Sequence, residues 1–161
     1  MNIYGIEDEI VEFPTAKLLR KIGYNEWCNV CYMPMWTHNG EPIDEDEEFE
    51  LRCEGRRKEI KIIQGGSTWV TWNQNSDNHK HVYSAPTQTN VMKWLRTHKN
   101  IDIRPYLCSL GWYFEVFDLS DSDVTGCKTI FSKGIPSKKD CRDSFEAAAE
   151  DGINYVLKKL L

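Results

Sequence analysis

The chain has 161 residues, 40% of them hydrophobic and 28% charged, with a formal net charge of −5. That length and balance belong to the globular class, in which one domain of this size buries roughly 70% of its unfolded surface. The negative balance argues against a broad duplex-binding face, because that affinity comes from cations displacing counterions along the phosphates. A membrane-spanning helix is not expected either, since no run of about 18 apolar residues occurs.

A single domain over residues 1–161 is therefore expected. The opening MNIYGIEDEI carries Glu7, Asp8 and Glu9 where a secretory leader would be basic and then apolar, which points to a cytoplasmic protein. The six cysteines are scattered through the chain. In a reducing compartment they act as small apolar side chains and not as a disulfide framework.

In chain order, TAKLLRKIGY after Phe13-Pro14 predicts a short helix with Thr15 at its N-cap. Ala16 and Leu19 form its apolar stripe, with Leu18 and Ile22 at the margins, and Gly23 stops it. The aromatic and methionine-rich segment 27–36 predicts a strand, and His38-Asn39-Gly40 a hairpin turn. FELRCE alternates Phe49, Leu51 and Cys53 against Glu50 and Arg52, the pattern of a half-buried strand. EIKIIQGGSTWVTW predicts two strands joined at Gly65-Gly66, and NQNSDNHK a surface loop.

Thr87 is placed to cap a helix with the stripe Val91, Trp94, Leu95 and His98, and Pro86 stands just outside it. IDIRPYL and GWYFEVFDL predict two more strands. The second is apolar on both faces and so central, and KTIF predicts a short edge strand beyond a loop at SDSDVTG. The segment DSFEAAAEDGINYVLKKLL predicts the last helix. Asp143 and Glu146 form its capping pair, and Phe145, Ala149, Ile153, Val156 and Leu160 its buried stripe. Hairpin-like links among the strands imply an α+β fold, a largely antiparallel sheet with two or three helices packed on it.

Three blocks, FPTAKLLRKIGYNEWC, YSAPTQTNVMKWLRTHKNIDI, and GWYFEVFDL with SFEAAAEDGINYVLKKLL, resemble a group of small bacterial and phage-borne proteins of unknown function. The matching segments are structural, so the resemblance implies a fold and no reaction. Residues 37–80 have no counterpart in it.

WCNVCYM holds the chain's Cys-x-x-Cys, Cys28 and Cys31. On a regular strand, residues three apart project from opposite faces, so the two sulfurs would not share a metal. A zinc site would need His38 and Cys53 to complete the ligand set, and a redox pair would need a helix opening at Cys28 to lower its pKa. Buried structural cysteines are the simpler expectation, with metal and redox roles as the alternatives.

His79 and His81 would share one face of a strand, a spacing that chelates transition metals, but two imidazoles need further ligands. The acidic run at 44–48, opened by Asp44 and closed by Glu48, lacks the glycine and bidentate glutamate of a calcium loop, since Phe49 and Gly55 stand there. It reads as a solvated face, or alternatively as a phosphate mimic directed at the basic groove of a DNA-binding protein.

Basic groups at Lys17, Arg20 and Lys21, at Arg56, Arg57 and Lys58, and at Lys93, Arg96 and Lys99 accompany Trp69, Trp72 and Trp94. Cations beside stacking rings suit single-stranded nucleic acid, although large aromatics more often serve the core. No phosphate loop, Gly-x-Ser-x-Gly or His-Glu-x-x-His occurs.

The reading that follows is a non-catalytic accessory or interaction protein of bacterial or phage origin, needing no cofactor and binding another protein. A metal- or thiol-dependent enzyme using Cys28, Cys31, His79 and His81 is the first alternative. A nucleic-acid-binding or DNA-mimic protein is the second.

Overall fold

A computed structural model describes residues 10–28, 31–32, 83–120 and 128–161. Among these residues it shows an α+β fold with two antiparallel sheets and three helices. The chain gathers into two compact units, one from residues 11–86 and the other from residues 1–10 and 87–161.

The described part of the first unit contains helix α1 (Phe13–Lys21) and the strand pair β1 (Cys31–Tyr32) and β2 (Tyr83–Ser84). Helix α1 begins two residues before the expected start. Glu12 is its N-cap, without a side-chain cap bond, and Pro14 occupies the first turn, where a missing N–H costs nothing. Thr15 is thus a buried residue within the helix and not its cap. Ala16 and Leu19 are buried as the stripe predicts. Gly23 ends the helix at φ +84°, with its N–H donating to the Arg20 carbonyl at 3.2 Å.

The second unit contains α2 (Gln88–Lys99), β3 (Ile101–Cys108), β4 (Gly111–Asp118), β5 (Lys128–Phe131), a 3-10 turn (Lys138–Asp140) and α3 (Phe145–Lys159). The sheet order β3-β4-β5 makes β4 central and β5 an edge, as their apolar patterns require. Register runs from Ile101 opposite Asp118 to Cys108 opposite Gly111, so Ser109 and Leu110 alone turn the hairpin. A bulge between Val116 and Phe117 shifts the pairing with β5.

The core of this unit lies where α2 and α3 meet the sheet. Val91 and Leu95 from α2, Ile103 from β3, Val116 from β4, and Ile153 and Val156 from α3 are all buried. Trp94 is buried as expected, whereas His98 is exposed and its ring stacks on Trp94 at 5.5 Å. Trp94 and Leu95 already fill the inner face, which leaves His98 at the helix rim. The Thr87 hydroxyl accepts the Asn90 N–H at 3.3 Å, the expected cap. Thr87→Ala should cost about 1 kcal/mol, read as a lower urea midpoint with an unchanged m-value.

In α3 the cap is Ser144, whose hydroxyl accepts the Ala147 N–H at 3.1 Å, and not Asp143 one residue earlier. The stripe also differs at both ends. Phe145 is half-buried, Leu160 is 36% exposed, and Ala148 and Leu157 are buried in addition to Ala149, Ile153 and Val156. Gly152 faces the sheet. A Cβ there would stand 2.6 Å from Cγ2 of Ile103 and 3.2 Å from the Phe114 ring, so the missing side chain lets the helix sit closer than any other residue would.

The segments with FELRCE, EIKIIQGGSTWVTW, NQNSDNHK and SDSDVTG lie outside the described residues, as does most of the expected strand over 27–36.

Candidate functional site

Among the described residues of the first unit, the chemistry-bearing groups lie at Cys28 and Cys31. The turn at Gly23 returns the chain beneath α1, with the Tyr24 N–H donating to the Leu19 carbonyl at 3.0 Å, which places the Tyr24 ring inside the unit at 1% exposure. Cys28 and Cys31 follow, at 3% and 0%, and Ser84 lies opposite Cys31 in the β1–β2 register, also at 0%. Phe13 closes the cluster with edge-on contacts to Tyr32 at 5.3 Å and Tyr83 at 5.4 Å. The Tyr32 hydroxyl donates to the Val11 carbonyl at 2.7 Å.

Ser84 of β2 stands between the two cysteines in the network of contacts. Residues directly opposite one another in an antiparallel pair share a face, which puts Ser84 beside Cys31. Ser84 also hydrogen-bonds Cys28, and a charge on Cys28 is felt at Cys31. Both thiols are therefore buried and electrostatically linked.

The electrostatics of this cluster oppose reactivity. Burial pushes the Cys28 thiol up to about 11, only partly offset by hydrogen bonds from Ser84 and Tyr24. Burial, and then the nearby Cys28, push Cys31 up to about 12. The Tyr24 phenol is likewise raised above its ordinary value, by burial first and by Cys28 second. The Cys28 thiol donates weakly to the Glu26 carbonyl at 3.6 Å. Both cysteines are free thiols. At neutral pH both carry their protons, the form that does not attack an electrophile.

His79, His81, His38, Cys53, Trp69, Trp72 and the run at 44–48 lie outside the described residues. Among the described residues, no group of three or more His, Cys, Asp or Glu is placed to hold a metal ion. The basic group near Trp94 is differently arranged from a nucleic-acid platform. Trp94 is 6% exposed, Lys99 lies over its ring at 5.4 Å, and Arg96 is ion-paired with Asp102 at 2.9 Å. Asp102 itself is buried, with Arg96 on one carboxylate oxygen and Arg104 on the other at 2.7 Å.

Two groupings escape the sequence reading. Glu150 is 6% exposed on the inner side of α3, where its carboxylate accepts from Nε2 of Gln88 at 3.1 Å and from Nδ2 of Asn154 at 3.4 Å. Helical spacing could have found it, because Glu150 stands three residues before Ile153 and seven before Leu157, on the buried stripe. The other is the pair Cys108 and Cys141, whose sulfurs are 3.7 Å apart. Their separation in the chain hides it from any local pattern.

No helix among the described residues is long and apolar enough to cross a membrane. Compared with known proteins, the chain matches no family model, no curated protein and no solved structure.

Proposed function

We propose that this protein acts in the cytoplasm of a bacterium, or in a phage-infected one, by binding another protein rather than by catalysing a reaction. One observation carries the reading. Among the described residues of the second unit, apart from Leu160 and Leu161 after α3, the exposed large aliphatic side chains are Leu107 at 67%, Leu110 at 40% and Ile135 at 98%. Leu107 lies at the end of β3 and Leu110 in the turn that follows, and the Lys138 ammonium donates to the Leu110 carbonyl at 3.2 Å, which joins the segment after Ile135 to that turn. Exposed apolar side chains are what an interface core uses. The resemblance of three sequence blocks to small bacterial and phage-borne proteins supports the setting.

The test is a pull-down from host lysate with the native chain and with the triple variant Leu107→Glu, Leu110→Glu, Ile135→Glu. Because these side chains are exposed, the variant should keep its thermal midpoint within a few degrees while its specific partner is lost. A partner retained at the native level would overturn the proposal.

The thiol-enzyme reading makes the opposite demand of Cys28. Relative to an ordinary thiol at 9.0, a thiol held at about 11 has about 100-fold less thiolate at neutral pH. In the native protein Cys28 and Cys31 should therefore alkylate with iodoacetamide at least about 100-fold more slowly than in the urea-unfolded chain. Comparable rates in the two states would restore them as reactive groups.

A further inference from the structure

The second unit brings together two cysteines that belong to different parts of the chain. Cys108 is the last residue of β3 and pairs with Gly111 across the hairpin. Gly111 precedes Trp112, and Trp112 and Arg142 exchange two backbone hydrogen bonds, at 2.8 Å and 2.6 Å. This isolated bridge lays residues 141–142 against the start of β4.

Gly111 is what permits so close an approach. It adopts φ +127°, and a Cβ there would meet the Arg142 carbonyl oxygen at 2.6 Å and Cβ of Cys141 at 3.3 Å. Across that bare position the Cys108 and Cys141 sulfurs come to 3.7 Å.

The turn that carries Cys141 is itself firmly built. Ser137 and Asp140 form a reciprocal cap, with the Ser137 N–H donating to Asp140 at 3.1 Å and the Ser137 hydroxyl donating at 2.5 Å. Lys133 pairs with the same carboxylate at 3.2 Å. On the far side, the Arg142 guanidinium reaches Asp151 of α3 at 2.6 Å. Cys141 is thus held from both sides in the position that faces Cys108. It is 8% exposed, while Cys108 is half-exposed at the hairpin end.

We propose that Cys108 and Cys141 are a redox-responsive pair that closes to an intrachain disulfide on exposure to a hydroperoxide. The Cys108 thiolate, the accessible one, attacks the O–O bond and becomes a sulfenic acid as hydroxide leaves. The Cys141 sulfur then attacks that sulfenic sulfur, the S–S bond forms, and water departs. The net change is two thiols oxidised, two S–H protons released into the water formed, and one hydrogen peroxide reduced to two waters. Thiol–disulfide exchange with a small thiol reverses it.

The movement needed is small. Contact at 3.7 Å must shorten to a bond of about 2.05 Å, a shift that side-chain rotation supplies. Burial and the hydrogen bond to Cys108 keep the Cys141 proton in place, consistent with Cys108 reacting first. Oxidation closes a ring over residues 108–141 and fixes the turn before α3 to the hairpin.

The experiment treats the full-length chain with increasing hydrogen peroxide, blocks remaining thiols, and maps the digest by mass spectrometry without reduction. The expected result is a linked pair of peptides carrying Cys108 and Cys141, lost on adding glutathione. A thermal midpoint higher by roughly 5–10 °C should accompany the link, from the closed loop in the unfolded chain. The Cys108→Ser variant, altered at a half-exposed site, should match the reduced native midpoint and show no peroxide-induced rise. Linkage of either residue to Cys53 or Cys127 would overturn the proposal. So would over-oxidation of Cys108 to a sulfinic acid, thiols unchanged at peroxide levels that oxidise the unfolded chain, or a midpoint shift that persists in Cys108→Ser.

Discussion

Raising the pH from 9 towards 12 is expected to remove on the order of 5 kcal/mol from the stability of the native fold, chiefly through Cys28 and Cys31. Burial raises both folded thiols above the ordinary value of 9.0, to about 11 and about 12. Below pH 9 the thiols are protonated in the folded and unfolded chains alike, and their contribution is fully present. Above it the unfolded chain sheds its protons first, binds fewer than the native state, and is favoured progressively until the folded thiols titrate in turn. Against a typical total of 5–15 kcal/mol, that loss is enough to unfold much of the population. Urea titrations at pH 8, 9, 10 and 11 would measure it. The double variant Cys28→Ala, Cys31→Ala should show a much flatter decline, with a residue from Tyr24, whose phenol is also raised by burial. Equal slopes in the two proteins would mean that the thiols do not govern alkaline lability.

The second large effect is steric. An exposed helical glycine changed to alanine usually gains about 1 kcal/mol in propensity. At Gly152 the sign reverses, because the new Cβ would stand 2.6 Å from the Ile103 side chain and 3.2 Å from the Phe114 ring. Gly152→Ala should cost about 1–3 kcal/mol, and Gly152→Val about 3 kcal/mol or more, a fall of roughly 10 °C in the thermal midpoint. Trimming the partner tests the cause. In a double-mutant cycle, Ile103→Ala should cost less in the Gly152→Ala background than in the native one, by at least about 0.5 kcal/mol. Simple additivity would show that the contact at Ile103 is not what resists the larger residue.

These two sites mark the boundary of what was legible in the sequence. Thr87 was readable as a cap because capping depends on residues within one turn, and β4 was readable as central because Trp112, Phe114 and Val116 alternate with Tyr113 and Phe117, so that neither face is polar. The start of α1 was misplaced because Pro14 suits a first turn as well as a flank, and the start of α3 because Asp143 and Ser144 are both good caps and only the backbone geometry chooses between them. Gly152 gave no warning, since its meaning lies in Ile103 and Phe114, about 40–50 residues earlier, and helix periodicity cannot show a distance to a sheet. The burial of Cys28 and Cys31 was legible, because aromatic and apolar residues surround them in the sequence. Cys108 and Cys141 meet only through the hairpin and the bridge to Arg142, a relation that no local pattern records.

Asn100 alone separates α2 from β3, in the left-handed region at φ 55°, and its carbonyl accepts the Leu119 N–H at 2.7 Å. A junction this short fixes how many residues the chain may have there: one inserted amino acid would rotate every following side chain of β3 to the wrong side of the sheet. Grafted peptides therefore belong at Ser109-Leu110, whose two residues are both exposed.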